Sequence, residues 1–195
     1  MRIFCLVILS LSAAVAYAKD TQPFAKLGEE TSAPTGWVTL CAEYKGFCDT
    51  KPSAPLDIEL TPEVWAKLVK VNDFVNQSVK QMSDLDHWGI VERWNFAEDG
   101  YGDTEDFVLL KRRMLINQDL PREALLVTVV RDKIGDSYAV LTVKTNKGEF
   151  VLDDRETRIL LWSKTGYRFI KRQSQGDPNA WVLLEPAKGT ARKRK

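Results

Sequence analysis

The apolar residues of this chain follow two different periods. Between Thr61 and Met82 they recur every three or four positions, which is typical of one face of an amphipathic helix. Thr61 and Pro62 stand at its start, as an N-cap hydroxyl and a proline at the first helical position. A second helical period follows from Thr104 to about Asn117. We therefore predict two long helices before the chain changes character.

From residue 124 onward the apolar segments are nearly continuous and rich in Val, Leu, Ile and aromatic types, as expected for strands. The predicted strands are 124–131, 137–145, 149–152, 157–163, 167–172 and 181–184. Helices first and strands afterwards predict an α+β fold with an antiparallel sheet. The stretch 84–102 between the two helices shows neither period, so we predict a loop packed over Trp88 and Trp94.

The N-terminal segment has the composition of a secretory signal peptide. Arg2 precedes an apolar run, and small residues follow it up to Ala18. The run is too short to span a bilayer, so we predict export, cleavage after Ala18 and no transmembrane segment in the processed chain. The predicted ranges are a signal peptide at 1–18, an extended leader at 19–36, one domain at 37–186 and a basic tail at 187–195.

Charge does not favour a nucleic-acid partner. Lys and Arg number 28 against 27 Asp and Glu, and Arg2 is the one charged residue of the predicted signal peptide. The processed chain is therefore formally neutral, and we predict no nucleic acid as a partner. The basic tail has two interpretations: a solvated chain end, or a contact with anionic lipid or an acidic partner.

Cys41 and Cys48 are the cysteines that remain after processing, since Cys5 lies in the predicted signal peptide. A closely spaced pair in an exported chain predicts a disulfide. The alternatives are a metal pair or a reactive thiol. The metal pair is disfavoured because the chain contains a single histidine, His87.

The start of the second predicted helix carries an unusual set of side chains. Asp103, Glu105 and Asp106 surround Thr104 directly after the glycine at position 102. A helix N-terminus stabilises a thiolate, so a reactive cysteine would be expected at position 104. The chain has threonine there. The three acids are explained either by capping of the helix or by a cation site.

Three short motifs occur in a fixed order along the chain: Gly-Asp-Thr-Glu-Asp-Phe at 102–107, Tyr-Ala-Val-Leu at 138–141 and Leu-Asp-Asp at 152–154. Their order and spacing resemble those of the bacterial transglutaminase-like cysteine peptidases, a family that includes periplasmic adhesin-processing proteases. The family motifs read Gly-Asp-Cys-Glu-Asp, His-Ala-Val-Leu and Leu-Asp-Asn. The resemblance extends from Trp37 to about Leu184 and implies a transglutaminase-like, papain-related fold.

The resemblance implies that Thr104, Tyr138 and Asp153 stand at the positions of the catalytic cysteine, histidine and aspartate. A threonine hydroxyl is far less acidic than a thiol, whose free pKa is about 8.5. A phenol with a pKa near 10 is a poor substitute for an imidazole. We therefore predict a catalytically degenerate member. The rival interpretation is a working hydrolase that uses Thr104 as nucleophile with Tyr138 or His87 as base.

Calcium is the one cofactor that the resemblance implies, because acids that flank the cysteine bind calcium in the adhesin-processing branch. Asp103, Glu105 and Asp106 match those acids. The predicted function is that of an exported, periplasmic pseudoenzyme. It would bind a polypeptide in the former substrate cleft or regulate a related protease pathway. A calcium-dependent structural module remains as a further alternative.

Overall fold

The structure is a computed structural model that describes residues 22–49 and 51–186. The predicted signal peptide and basic tail lie outside the described residues. Four helices are present in the described part of the chain: α1 (Thr35–Glu43), α2 (Pro62–Ser78), α3 (Asp84–Trp88) and α4 (Thr104–Ile116). None of the described helices is long and apolar enough to cross a membrane.

Most strands follow α4. They are β1 (Leu27–Thr31), β2 (Lys80–Gln81), β3 (Tyr101–Gly102), β4 (Leu125–Arg131), β5 (Ser137–Thr145), β6 (Gly148–Leu152), β7 (Leu160–Leu161), β8 (Arg168–Gln173) and β9 (Trp181–Leu184). Seven of them form one antiparallel sheet in the order β1-β9-β8-β4-β5-β6-β7. The short strands β2 and β3 form a separate parallel pair. The α+β prediction with an antiparallel sheet is confirmed.

Helix α2 begins as its sequence predicts. The hydroxyl of Thr61 accepts a hydrogen bond from the Val64 N–H at 3.2 Å, and Pro62 is the first helical residue. Leu68, Val71 and Val75 of its apolar face are buried, because the helix packs against α4. The cap residues therefore predicted the start of α2, and the helical period predicted its buried face. The predicted period continues to Met82, whereas α2 ends at Ser78.

The sheet has an apolar layer on each side, because successive side chains of a strand point to opposite faces. In β5, Ala139 and Leu141 join the main core with α2 and α4, whereas Tyr138 and Val140 join a second, smaller core. Helix α4 packs directly on β5. The first residues of β5 therefore stand between the start of α4 on one face and the smaller core on the other.

Several sequence predictions differ from the structure. The stretch 84–102 is not only a loop, since it contains α3 and β3. Trp94 is buried as expected, but Trp88 is 39 % exposed, because α3 has a single turn and turns that ring toward solvent. The strand predicted at 157–163 is reduced to β7, with a 3-10 turn directly after it. Helix α1 was not predicted, and β1 lies within the predicted leader and pairs with β9.

A disulfide closes the loop after α1. Cys41 and Cys48 are bonded with their Cα atoms 5.4 Å apart, which confirms the predicted pair. Within this loop, Tyr44 and Phe47 pack edge-on against Phe96, at ring-centre distances of 5.1 and 5.2 Å. The disulfide loop thus supports the segment that leads from α3 to the start of α4.

Candidate functional site

The start of α4 is built around the buried carboxylate of Asp106. This carboxylate accepts hydrogen bonds from the Asn95 N–H at 2.7 Å, the Asn95 side-chain amide at 2.9 Å and the Asp103 N–H at 3.3 Å. A Cβ at Gly102 would lie 2.6 Å from Oδ2 of Asp106, so glycine is required by this close approach. Asp106 therefore fixes the geometry of the turn in which Asp103 precedes the helix.

Thr104 is the first residue of α4, and its hydroxyl is engaged on both sides. It donates to a carboxylate oxygen of Glu105 at 2.8 Å and accepts from the Ala139 N–H at 3.3 Å. The residue is 7 % exposed. The start of α4 thus meets the first residues of β5, but the side-chain partner of the hydroxyl is a carboxylate and not an imidazole.

His87, the single histidine, is held elsewhere. Its Nε2 lies 2.8 Å from a carboxylate oxygen of Asp99, and its ring stacks on Trp88 at a centre distance of 4.0 Å. These contacts fix the imidazole between α3 and the segment before β3. No hydrogen bond joins His87 to Thr104 in the described part of the chain.

Tyr138 and Asp153 lie close to each other, joined by Tyr167. The Tyr138 ring packs edge-on against Tyr167 at 5.3 Å, and the Arg155 guanidinium lies 4.0 Å over the Tyr138 ring. The Tyr167 hydroxyl donates to Oδ2 of Asp153 at 2.6 Å. Burial raises the pKa of Tyr138 to about 12, with the Tyr167 hydroxyl opposing that rise and the charge of Asp153 adding to it. Tyr138 is therefore a poor proton acceptor at neutral pH.

A cluster of carboxylates lies on the other side of the first turn of α4. One oxygen each from Asp84, Asp103 and Asp106 can be chosen so that all lie within 4.8 Å of one another. Asp84 comes from α3 and accepts a hydrogen bond from the Arg93 N–H. The parallel pairing of β2 with β3 creates the cluster, because α3 follows β2 and α4 follows β3.

These carboxyls hold their protons more tightly than usual. Burial, followed by the charge of Asp84, raises the pKa of Asp103 to about 6. Burial, followed by Asp103, raises that of Glu105 to about 8. Burial is also the main cause for Asp106, whose pKa rises to about 8, and it raises the pKa of Asp84. Buried like charges at such short range favour either protonation or a bound cation.

The donor set fits a hard cation. Calcium prefers carboxylate oxygens, and Asp84, Asp103 and Asp106 bring three carboxylates together. Oδ1 of Asp103 is buried and has no hydrogen-bond partner among the described residues. An unpaired buried carboxylate oxygen is costly unless a ligand contacts it. Asp84, Asp103 and Asp106 could therefore hold a divalent cation, with Glu105 beside them.

The structure separates the predicted site residues into two groups. Asp103, Glu105 and Asp106 form one group on the first turn of α4, and Tyr138 with Asp153 forms the other. Sequence reasoning missed Asp84 and Tyr167. The signal nearest to Asp84 is Ser83, whose hydroxyl accepts a hydrogen bond from the Asp86 N–H and caps α3, the helix that begins at Asp84. No local pattern marks Tyr167.

A sequence model of one known family matches residues 27–189 of the chain; the family is described as bacterial transglutaminase-like cysteine proteinase. A search of curated proteins found no match. The match therefore covers all of the domain described above, from β1 to the end of β9.

Solved structures with a similar fold include three of LapG from Legionella pneumophila. One is 26 % identical, with a TM-score of 0.52, over 64 % of this chain and 71 % of that chain. A calcium-bound form is 24 % identical, with a TM-score of 0.54, over 68 % and 78 %. An EGTA-treated form is 25 % identical, with a TM-score of 0.52, over 68 % and 77 %. The fold is thus transglutaminase-like, as the sequence predicts.

Proposed function

The chain belongs to the bacterial transglutaminase-like cysteine proteinases, and we propose that it is a non-catalytic member that binds a polypeptide. The carrying observation is the environment of Thr104. Its hydroxyl contacts Glu105 and the backbone of Ala139, and neither a thiolate nor an imidazole is available there. Cysteine–histidine chemistry needs a thiolate nucleophile and an imidazole to carry the proton.

Polypeptide binding is supported by the family and by the surface beside the acidic cluster. Leu85, Trp88, Ile90 and Val91 are exposed large apolar residues within one short segment. Trp88 is held in place by His87 and by the Arg93 guanidinium, which lies 4.4 Å over its ring. Exposed apolar patches commonly mark interaction sites. The protein would either hold a polypeptide here as its partner or compete with an active relative for that polypeptide.

We also propose that the acidic cluster binds calcium. Asp84, Asp103 and Asp106 would hold the ion, and Glu105 would add a fourth carboxylate beside them. Bound calcium supplies positive charge that lets these buried carboxyls stay ionised. Because Asp84 belongs to α3 and the others to the start of α4, the ion would tie the two segments together. A LapG structure described as calcium-bound has the same fold.

Export to the periplasm completes the proposal. The disulfide between Cys41 and Cys48 is typical of proteins that fold in an oxidising compartment. The predicted signal peptide at 1–18 would direct the chain there.

The experiment that tests the proposal measures turnover. Peptide hydrolysis and glutamine–amine cross-linking should both be at least ~10⁶-fold below those of an active family member, which is the scale of losing a nucleophile. Thr104→Ala should leave any background turnover unchanged. Thr104→Ser, which keeps the hydroxyl, is the matched control. Activity present in the wild type and in Thr104→Ser but lost in Thr104→Ala would show that the protein is a hydrolase.

One observation favours that rival function. Glu105 accepts the hydrogen bond of the Thr104 hydroxyl at 2.8 Å and is therefore within reach to act as a base. Its pKa of about 8 leaves part of the carboxyl ionised at neutral pH. A threonine hydrolase of this kind should lose its turnover in Glu105→Gln. The non-catalytic proposal predicts no difference in turnover between Glu105→Gln and the wild type.

A further inference from the structure

Asp153, at the proposed position of the orienting aspartate, is a buried carboxylate, and each of its oxygens accepts a hydrogen bond. Oδ2 accepts the Tyr167 hydroxyl at 2.6 Å, and Oδ1 accepts the Arg155 N–H at 3.0 Å. The residue is 3 % exposed. A buried carboxylate requires donors, and a short hydrogen bond from a hydroxyl to a charged oxygen is among the stronger kinds. Tyr167 thus supplies a donor that Asp153 needs.

The Tyr167 hydroxyl is held on Asp153 by the packing of its ring. The Tyr167 ring packs edge-on against the Tyr138 ring at a centre distance of 5.3 Å, and the Arg155 guanidinium lies 4.0 Å over the Tyr138 ring. The Tyr167 N–H is bonded to the Thr165 hydroxyl at 3.2 Å, which fixes the backbone of the residue. Little rotation of the phenol is therefore available without repacking Tyr138.

The Tyr167 hydroxyl remains a donor across the ordinary pH range. Burial raises the pKa of Tyr167 well above its usual value, and the hydrogen bond to Asp153 raises it further. The proton therefore stays on the phenol, pointing to Asp153.

We propose that Tyr167 has taken over the hydrogen bond to Asp153 that an imidazole makes in a cysteine–histidine–aspartate triad, and that it blocks the return of such a triad. The inference rests on the proposed assignment of Thr104, Tyr138 and Asp153 to the three triad positions. Tyr167 acts as a positioning residue: it fixes Asp153 and does not touch a reacting atom.

The consequence is a competition for one oxygen. An imidazole placed at position 138 would use Oδ2 of Asp153 as acceptor for its second N–H, and it would have to share that oxygen with the Tyr167 hydroxyl, whose ring packs against position 138. Restoring cysteine and histidine at Thr104 and Tyr138 should therefore give a poorly oriented imidazole. Replacing Tyr167 with phenylalanine keeps the ring and frees the oxygen.

The test is the pH dependence of thiol alkylation at position 104. Four variants are compared: Thr104→Cys alone, with Tyr138→His, with Tyr167→Phe, and with both. Iodoacetamide labelling is followed by mass spectrometry on the peptide that contains position 104, so that other cysteines do not interfere. At pH 6 the triple variant should react about tenfold faster than the Thr104→Cys/Tyr138→His double variant, because an oriented imidazole lowers the thiol pKa.

The outcomes distinguish the role of Tyr167 from the assignment of Thr104, Tyr138 and Asp153 to the triad positions. Equal rates for the triple variant and the Tyr138→His double variant, both above the single variant, would overturn the role of Tyr167 and leave the site assignment intact. If neither variant reacts faster than Thr104→Cys alone, positions 104 and 138 do not meet. That result would overturn both the role of Tyr167 and the site assignment. Acceleration by Tyr167→Phe without Tyr138→His would also overturn the inference, since no imidazole is then present.

A second measurement tests the Tyr167–Asp153 contact if the multiple variants fail to fold. In the otherwise unchanged chain, Tyr167→Phe should lower Tm by about 4 °C more than Tyr44→Phe, because it removes a donor to a buried carboxylate. Tyr44 is a matched control, since its ring packs on Phe96 at a similar distance of 5.1 Å. Equal losses in the two variants would show that the Tyr167 hydroxyl does not hold Asp153.

Discussion

The first turn of α4 separates two groups of side chains that differ in how completely they are satisfied. On one side, Asp84, Asp103 and Asp106 crowd their carboxylates within 4.8 Å, and Oδ1 of Asp103 has no partner among the described residues. On the other side, the Thr104 hydroxyl both donates and accepts, and both oxygens of Asp153 are bonded. The acidic group is left with crowded carboxylates and one unpartnered buried oxygen, whereas each polar atom named in the group at the triad positions has a hydrogen-bond partner.

This difference indicates what can change in such a site. Replacing a nucleophile and a base leaves polar neighbours that must find new partners, because buried polar atoms are rarely left unpaired. Tyr167 meets that need for Asp153. Beside Thr104, Oδ1 of Asp103 has no such partner among the described residues, and burial raises the pKa of Asp103, Glu105 and Asp106. On the proposed function, cation binding would outlast catalysis in the same helix turn.

The largest expected effect is on stability as a function of pH in the presence of a chelator. The unfolded chain releases these protons near pH 4, whereas Asp103 releases its proton at about 6, and Glu105 and Asp106 at about 8. Between pH 4 and pH 8 the folded chain therefore holds more protons, so stability falls as pH rises. We expect a loss of roughly 3 kcal/mol or more from pH 5 to pH 8, since one pKa unit corresponds to about 1.4 kcal/mol.

Calcium should flatten that profile, because it replaces the protons as the partner of the carboxylates. Thermal unfolding followed by circular dichroism at several pH values, with chelator and with calcium, measures both curves. Asp154 provides an internal reference: burial, followed by the charge of Asp153, raises its pKa to about 6, and it is not one of the three clustered carboxylates. The smaller decrease of stability with pH that Asp154 causes should remain when calcium is present. Stability that is independent of pH in chelator would contradict the crowded-carboxylate account.

The disulfide is expected to have the next largest effect. Replacing Cys41 and Cys48 with serine should lower the free energy of unfolding by about 2–3 kcal/mol, the range for a short loop. Because Tyr44 and Phe47 support Phe96 beside the acidic group, calcium binding should weaken as well. The Tyr167–Asp153 contact should not change.

Calorimetric titration with calcium and thermal unfolding measure the two effects in the serine variant. Wild-type protein reduced with dithiothreitol is the matched control and should show the same loss of stability. A variant that is destabilised but binds calcium as tightly as the wild type would show that the loop does not support the acidic group.

Regular elements could be predicted from the sequence, because each carries its own period. Helix α2 has an N-cap hydroxyl and an apolar face over four turns, and the strands β4 and β5 are long and rich in β-branched residues. Helix α3 and the strands β2 and β3 are too short to show a period. The acids 103, 105 and 106 could be grouped because they are neighbours in sequence.

The remaining site residues depend on pairings that no local pattern reveals. Asp84 reaches Asp103 because Gln81 pairs with Gly102 in the parallel β2–β3 pair. Tyr167 directly precedes β8 and Asp153 directly follows β6, and the sheet order β8-β4-β5-β6 brings these strands together. A residue brought to a site by the order of strands becomes visible only once that order is known.

The central claim is that the acids at the start of α4 form a cation site and are not only helix caps. Asp103→Asn tests it, because asparagine keeps the capping ability and removes one charge. In chelator the variant should be more stable than the wild type by about 1 kcal/mol, or about 2–4 °C in Tm, since repulsion among the carboxylates falls.

With calcium at a hundred times the dissociation constant, the wild type should gain about 2.7 kcal/mol and the variant should lose most of that gain. The exposed Glu59→Gln serves as control and should match the wild type in both conditions. The deciding measurement is therefore the Tm of Asp103→Asn relative to wild type, with chelator and with calcium. A difference that changes sign between the two conditions is the predicted result; a difference of the same sign in both, or a wild type whose Tm ignores calcium, would contradict it.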